Sequence, residues 1–245
     1  EWKDDKVMIN DVMRFLDNVL TDFIERAPEQ FDDAKYSAEK ERSVGLGVMG
    51  FHSYLQQHNI PLESVMSKAW NKKIFKHIQE HVDQASKDLA DERGPCPDAA
   101  DYGYNERFSN KTAIAPTASI SIICGGASPG VEPVAANSYT HKTLSGSFNV
   151  RNRYLVELLE KHGKNTEEVW SGITTNEGSV SHLDFLTDLE KDVFKTAFEL
   201  DQKWIIELSG DRTPFISQAQ SINLFVPADI HKRELHKIHF DAWKK

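Results

Sequence analysis

Cysteine is scarce in this sequence of 245 residues, which contains only Cys96 and Cys124. The two residues lie far apart and outside any CxxC pattern, so the sequence predicts neither a disulfide framework nor a cysteine-rich zinc site. Each thiol is interpreted as a small buried or loop side chain. This cysteine usage favours a reducing compartment, the cytoplasm.

Long apolar runs and an excess of positive charge are also missing. No apolar run approaches the roughly 18 residues of a membrane span, and the first residues carry no basic-then-apolar signal peptide. The formal net charge of −9 disfavours a general basic surface for nucleic acid, but it allows one small phosphorylated ligand held by backbone N–H groups. The sequence begins at Glu1 without an initiating Met, which favours an excised segment or a piece of a longer or split polypeptide.

Helical periodicity is the main pattern that the sequence does contain. Apolar residues at spacings of three and four predict helices over residues 7–24, 44–57, 67–93, 151–162 and 193–208, and another within residues 228–245. Capping-box spacing predicts two further helix starts, at Ser181 and Thr187.

Two segments carry the composition of strands. Residues 112–124 are apolar, small and β-branched, so at least part of this segment is expected to be a buried strand, and residues 221–226 alternate as a strand does. Helices interspersed with short buried strands indicate an α/β fold with mainly parallel pairing. Because no internal repeat or linker is evident, residues 1–245 are predicted to form one domain.

Gly45, Gly47 and Gly50 match the G-x-G-x-x-G pattern of dinucleotide-binding folds. That motif requires a preceding strand and an acidic residue about 20 positions later. Here residues 38–42 are solvated and helix-prone, and no strand ending in an acidic residue follows. The glycines are therefore interpreted as small residues that let a helix pack closely on a neighbour.

Residues 110–121 suggest a phosphate site. A strand that runs into Pro116 is expected to end there, and small hydroxyl residues follow at Thr117, Ser119 and Ser121. If a helical turn starts at Thr117, its first N–H groups point at one spot and favour an anion. The same spacing also fits an ordinary N-cap at a tightly packed strand end, and spacing alone leaves both interpretations open.

The other candidate side chains have simpler explanations. His77 and His81 stand four apart, as two ligands of one metal would, but no third ligand is evident, so a solvated helix face and no metal site are predicted. Arg107 suits either a phosphate contact or a surface ion pair. Glu132 suits an acid/base role, although a structural role in a turn is favoured. A looser histidine cluster is interpreted as the polar side of the last helix: His231, His236 and His239.

Several segments together resemble the large subunits of class I ribonucleotide reductases. These are Ala-Pro-Thr-Ala-Ser-Ile-Ser (115–121), Ser-Pro-Gly-Val-Glu-Pro (128–133), Asn-Glu-Arg-Phe-Ser-Asn (105–110), Gln-Ala-Gln-Ser-Ile-Asn-Leu-Phe (218–225) and Val-Gly-Leu-Gly-Val-Met-Gly-Phe (44–51). They occur in the family's order and cover most of the chain, with the phage and bacterial branch the most similar. The last segment resembles part of the family's barrel, which accounts for the glycine match.

The resemblance implies a fold and a binding segment. The fold would be the second half of a ten-stranded α/β barrel, with parallel half-barrel strands and surrounding helices. In this family the matching segment binds the diphosphate of the substrate ribonucleotide, and in this sequence it consists of Pro116, Thr117, Ala118, Ser119 and Ile120. This agrees with the interpretation of a strand end that leads into a helix N-terminus.

The resemblance also implies what the chain does not contain. The thiyl-radical cysteine, the carboxylate base and the reducing cysteine pair would lie upstream of Glu1, and the tyrosine relay and shuttle cysteines would lie beyond Lys245. Neither Cys96 nor Cys124 fills these roles, so no catalytic residue is assigned to the chain.

The implied reductase is a complex of several parts. It would combine the N-terminal part of the large subunit with a small (β) subunit that carries a metal-generated radical. It would also use thioredoxin or glutaredoxin as the thiol reductant, nucleotide effectors, and ribonucleoside diphosphates as substrates. It would act in the cytoplasm, or in the host cytoplasm if it is viral. The alternatives are a phosphate- or nucleotide-binding module without chemistry and an inactive assembly subunit.

Overall fold

The computed structural model describes residues 6–143 and 146–245. The chain divides into two compact units. The first comprises the described part of Glu1–Gly47 together with Asn71–Ala115 and Asp211–Gln220, and the second comprises Val48–Trp70, Pro116–Gly210 and the rest of the chain. Each unit is assembled from separate stretches of sequence. The single domain expected over residues 1–245 stays a prediction.

Helices make up most of the secondary structure of the described residues. The α-helices are α1 (Lys6–Arg26), α2 (Asp32–Glu41), α3 (Phe51–Gln57), α4 (Val65–Arg93), α5 (Pro97–Asp101), α6 (Ile120–Ile123), α7 (Arg153–Lys161), α8 (Glu167–Thr175), α9 (Asp188–Val193), α10 (Gln202–Arg212) and α11 (Lys232–Lys244), and the strands are β1 (Ser138–Thr143) and β2 (Gly146–Arg151). None of these helices combines the length and apolarity that a membrane span requires.

In the first unit, α1 and α4 build the core, as their periodicity predicted. Ile9 and Met13 of α1 pack with Val82 and Leu89 of α4, and Phe108 closes the same cluster. Met13 and Leu89 are fully buried, and complete burial of such side chains stabilises a fold by about 1.5–3 kcal/mol each.

A buried carboxylate holds the loops of the first unit. The side chain of Asp17 is fully buried and accepts hydrogen bonds from Arg42 (2.7 Å), Arg93 (2.7 Å) and Arg107 (2.8 Å). Burial opposes the charge on Asp17, but the hydrogen bonds from the three guanidinium groups outweigh this effect and hold its pKa below the usual range. Arg107 also donates from Nη1 to the carbonyl oxygens of Arg93 and Gly94. Arg107 therefore pairs with a buried carboxylate, which favours an ion pair over the phosphate contact that the sequence also allowed.

Three short backbone segments of the first unit pair in parallel. Leu46 pairs with Thr112 and Ile114 pairs with Gln220, each as an isolated bridge. The buried strand expected within residues 112–124 does not form as a continuous strand, because only Thr112 and Ile114 of that segment pair with other backbone. The strand expected over residues 221–226 was wrong. Its backbone N–H groups go to side chains instead, since Asn223 donates to Glu132 and Phe225 donates to Gln202.

Close backbone approach explains the glycines that precede α3. A Cβ added at Gly47 would lie 2.6 Å from the carbonyl oxygen of Ala113, and one at Gly45 would lie 3.1 Å from the Cβ of that alanine. The helix expected over residues 44–57 is confirmed only over Phe51–Gln57. The small residues do permit close packing, but the packing is between paired backbone segments rather than between helices.

In the second unit, α7, α8 and α9 surround a core that includes Leu155, Leu159, Trp170 and Ile173. The capping box at Thr187 is confirmed, with Thr187 and Glu190 bonded reciprocally. The box expected at Ser181 was wrong, because its hydroxyl accepts from Ser179 and residues 181–182 form a turn.

The helix expected over residues 193–208 begins only at Gln202, as α10. In the residues that precede α10, side-chain carboxylates accept hydrogen bonds from the backbone amides. Thr196 donates to Glu199, and Asp201 donates to Glu63. An extended helix would need those amides for its own bonds.

The antiparallel ribbon β1–β2 was not expected from the sequence. Ser138 pairs with Arg151, and Tyr139 pairs with Val150. It is the one sheet of more than isolated bridges in the described chain, so the ten-stranded detail of the expected barrel is not confirmed by these strands.

Candidate functional site

The predicted binding residues form one loop at the surface of the second unit. This loop, residues 116–120, follows the parallel bridge at Ile114 by two residues. Pro116, Ala118, Ser119 and Ile120 are exposed, whereas Thr117 is partly buried. The five residues are therefore accessible to a ligand over most of their length.

Thr117 has a left-handed backbone, with φ at +50°. This conformation is rare for a β-branched residue and costs on the order of 1–3 kcal/mol. Two hydrogen bonds hold it in place. The N–H of Gly130 donates to Thr117 Oγ1 at 2.7 Å, and the N–H of Ser121 donates to the carbonyl oxygen of Thr117 at 3.0 Å.

The loop enters α6, a helix of one turn. No hydrogen bond within the described chain engages the backbone N–H groups of Ala118, Ser119 and Ile120. Ser119 occupies the N-cap position without a capping bond from its side chain, so the ordinary N-cap interpretation does not describe this hydroxyl. These N–H groups and the Ser119 hydroxyl remain available to an external acceptor.

Ser121 differs from the other hydroxyl residues of the segment. It is buried, and its hydroxyl donates to the carbonyl oxygen of Ala118 at 3.2 Å. Its own carbonyl oxygen accepts from Gly126 and Ala127. Ser121 therefore stabilises the loop through internal hydrogen bonds and does not face solvent.

A second segment, residues 128–134, supports the loop and is itself held by α3. Gly50 donates its N–H to the carbonyl oxygen of Ser128 at 2.7 Å. His52 is buried, and its Nδ1 accepts from the N–H of Val134 at 3.1 Å. Burial lowers the pKa of His52 to about 4, so this imidazole is neutral at pH 7.

Glu132 links this segment to Asn223. The carboxylate is buried, and its Oε1 accepts from the backbone N–H of Asn223 at 3.1 Å and from the Asn223 side-chain amide at 2.7 Å. These two hydrogen bonds favour the structural role of Glu132 over the acid/base role, which the sequence also allowed.

The loop carries no cationic side chain of its own, since residues 116–137 contain neither Lys nor Arg. An anion bound there would be held by backbone N–H groups and hydroxyls. This is the chemistry of phosphate sites at helix N-termini and in backbone nests.

The other candidates fall outside this site. The rings of His77 and His81 stack edge to face at 4.2 Å, and no group of three potential metal ligands occurs among the described residues. Cys96 is buried and Cys124 is exposed, and both are free thiols. The histidine cluster of the last helix is confirmed as polar surface, because no residue of α11 is buried. It consists of His231, His236 and His239.

The role of α3 as the support of the site was not predicted from the sequence. The pairing of Ser53 with Ser128 and of His52 with Val134 joins residues 75 or more positions apart. The only local signal was the presence of a histidine and a serine in a helix whose other positions are largely apolar or amide-bearing.

Comparison with known proteins identifies the family. The sequence matches the family model described as the ribonucleotide reductase barrel domain over residues 2–106 and 98–245. It is 51% identical over its full length to a ribonucleoside-diphosphate reductase large subunit of Invertebrate iridescent virus 6, covering 26% of that protein. It is 44% identical over 99% of its length to that of Invertebrate iridescent virus 3, covering 39%.

A solved structure extends the match to the fold. The class Id ribonucleotide reductase alpha subunit of Actinobacillus ureae superposes with a TM-score of 0.92 at 39% identity, over all of this chain and 45% of that one. The α/β class is thereby confirmed, and the chain spans less than half the length of each of these relatives. The chain belongs to the barrel-domain family of ribonucleotide reductase large subunits.

Proposed function

We propose that this chain contributes the loop that binds the substrate diphosphate in a ribonucleoside-diphosphate reductase. The complete enzyme would replace the 2′-hydroxyl of a ribonucleoside diphosphate with hydrogen. The binding residues would be Pro116, Thr117, Ala118, Ser119 and Ile120. The fold of the chain would be the second half of a ten-stranded α/β barrel, of which the parallel bridges at Leu46–Thr112 and Ile114–Gln220 would be strand fragments.

The conformation of Thr117 is the observation that carries this proposal. A β-branched residue is held at a positive φ in an exposed loop, and costly backbone conformations of this kind concentrate at functional sites. The residues that follow Thr117 also offer hydrogen-bond donors. The N–H groups of Ala118, Ser119 and Ile120 are left without partners in the described chain, and they can donate to phosphate oxygens.

The proposal assigns binding, and not bond breaking, to this chain. The thiyl-radical cysteine, the carboxylate base and the reducing cysteine pair would come from the N-terminal part of the large subunit. A small subunit with a metal-generated radical would initiate the reaction, and thioredoxin or glutaredoxin would restore the dithiol. Nucleotide effectors would act on the complete enzyme. Neither Cys96 nor Cys124 has an assigned role.

Substitution of Ser119 tests the proposal directly. Ser119→Ala, in the complete large subunit with its small subunit, removes a hydroxyl that makes no hydrogen bond to the described chain. Hydrogen bonds to charged groups contribute about 1.5–3 kcal/mol, so the KM for the ribonucleoside diphosphate should rise about tenfold or more, with little change in kcat. Ser171→Ala, at an exposed serine of α8, is the matched control.

Unchanged KM in the Ser119→Ala enzyme would contradict the proposed diphosphate site. A binding module without chemistry is the second candidate, since the chain carries the loop and no assigned catalytic residue. Nucleotide binding by the isolated chain, without any complementing polypeptide, would favour that module. Absence of such binding would count against it.

A further inference from the structure

We infer that Ser53 of α3 is a positioning residue for the diphosphate loop, an inference that rests on the proposed function. Ser53 is buried, with 6% of its surface exposed, so it does not meet the substrate itself. It acts through Ser128, Gly130 and Thr117, in that order.

The first step is a reciprocal pair of hydrogen bonds between two buried serines. The N–H of Ser53 donates to Ser128 Oγ at 3.1 Å, and the N–H of Ser128 donates to Ser53 Oγ at 2.8 Å. Ser128 is 1% exposed. Loss of the Ser53 hydroxyl would leave the N–H of Ser128 buried without its acceptor, and a buried donor in that state is costly.

The second step fixes the backbone on both sides of Ser128. Its carbonyl oxygen accepts from the N–H of Gly50 at 2.7 Å, and the carbonyl oxygen of Gly130 accepts from the N–H of Phe51 at 3.4 Å. Two successive backbone amides at the start of α3 therefore hold the carbonyl oxygens of Ser128 and Gly130. Ser53 supplies the side-chain part of this contact.

The third step reaches the loop. Two residues after Ser128, the N–H of Gly130 donates to Thr117 Oγ1 at 2.7 Å. That bond holds the hydroxyl of the one loop residue that has a positive φ. Displacement of residues 128–130 would move this donor and release Thr117 from its left-handed conformation. The backbone N–H groups of Ala118 and Ser119, which follow Thr117 directly, would then change direction.

The predicted signature is a change in substrate affinity that depends on Thr117. Ser53→Ala in the complete large subunit, assayed with its small subunit, should raise the KM for a ribonucleoside diphosphate about three- to tenfold and leave kcat within about twofold. In a Thr117→Ala background the same substitution should add little, because the route through Thr117 is already cut.

Two controls separate positioning from general destabilisation. Ser138→Ala removes another buried serine hydroxyl of the second unit, bonded to Thr174 at 2.9 Å, and should leave KM unchanged. Ser128→Ala removes the other half of the serine pair and should reproduce the rise in KM. It provides the test if the Ser53 variant does not fold.

The outcomes also separate this inference from the proposed function. A KM that responds to Ser119→Ala but to neither Ser53→Ala nor Ser128→Ala would overturn the role of Ser53 and leave the diphosphate loop intact. Effects of Ser53→Ala and Thr117→Ala that simply multiply would overturn it as well. A KM that responds to none of these substitutions would overturn both proposals.

Discussion

At the residue scale, His52 makes the stability of the fold depend on pH. Its Nδ1 accepts from the N–H of Val134, and burial lowers its pKa to about 4. In the unfolded chain a histidine titrates near pH 6.5. Between these two values the unfolded state binds a proton that the folded state does not, so acidification favours unfolding.

The free energy of unfolding should therefore fall as the pH drops from about 6.5 to about 4. A difference of about 2.5 units corresponds to a loss of about 3 kcal/mol when the window is crossed. Urea unfolding at a series of pH values measures this loss. His52→Gln, which keeps a hydrogen-bond acceptor and removes the titrating ring, should flatten the curve in that window.

His58→Gln serves as the control, because His58 lies at the end of the same helix and is exposed. This variant should retain the pH dependence of the parent. An equally steep curve in the His52→Gln protein would show that other groups produce the acid sensitivity.

Single residues were predictable from the sequence only where a local pattern defines them. Thr117 and Ser119 were singled out because hydroxyls that follow a strand-ending proline suggest a phosphate loop. The partners of Glu132 and Arg107 were not predictable. Asn223 and Asp17 lie about 90 residues away in the sequence, and local spacing carries no information on such contacts.

At the element scale, the parallel bridge between Leu46 and Thr112 depends on the absence of a side chain at Gly47. A Cβ there would lie 2.6 Å from the carbonyl oxygen of Ala113, and that backbone atom cannot move without breaking the pairing. Gly47→Ala should destabilise the fold by about 1–3 kcal/mol, as overpacking does.

Gly45→Ala is the graded control, because its Cβ would meet the Cβ of Ala113 at 3.1 Å. A smaller shift is enough to accommodate that contact. Thermal unfolding should therefore rank the Gly47 variant below the Gly45 variant. An undiminished unfolding midpoint in the Gly47→Ala protein would contradict the close approach of these two segments.

Long helices were predictable because periodicity over many residues averages out local exceptions. For this reason α1 and α4 were found nearly to their ends. The hairpin β1–β2 and the late start of α10 were not found, since short elements depend on their surroundings more than on propensity. The amide of Asp201, for example, goes to the carboxylate of Glu63.

At the scale of the whole molecule, α1 carries both buried and exposed apolar residues. Ile9 and Met13 are buried in the core of the first unit, while several other large apolar residues of the helix are exposed: Val7, Met8, Phe15 and Val19. Exposed apolar patches of this kind mark interaction surfaces. The viral and bacterial relatives are each more than twice as long as this chain. We therefore expect the exposed apolar residues of α1 to contact other parts of a large subunit.

The most direct test is the reduction of a ribonucleoside diphosphate by a reassembled enzyme. This chain would be mixed with the polypeptides that complete the large subunit and with a radical-bearing small subunit, and each component would be omitted in turn. We predict turnover in the full mixture and none when this chain is left out. Undiminished turnover without this chain, or no turnover in a mixture whose assembly has been demonstrated, would contradict the proposed role.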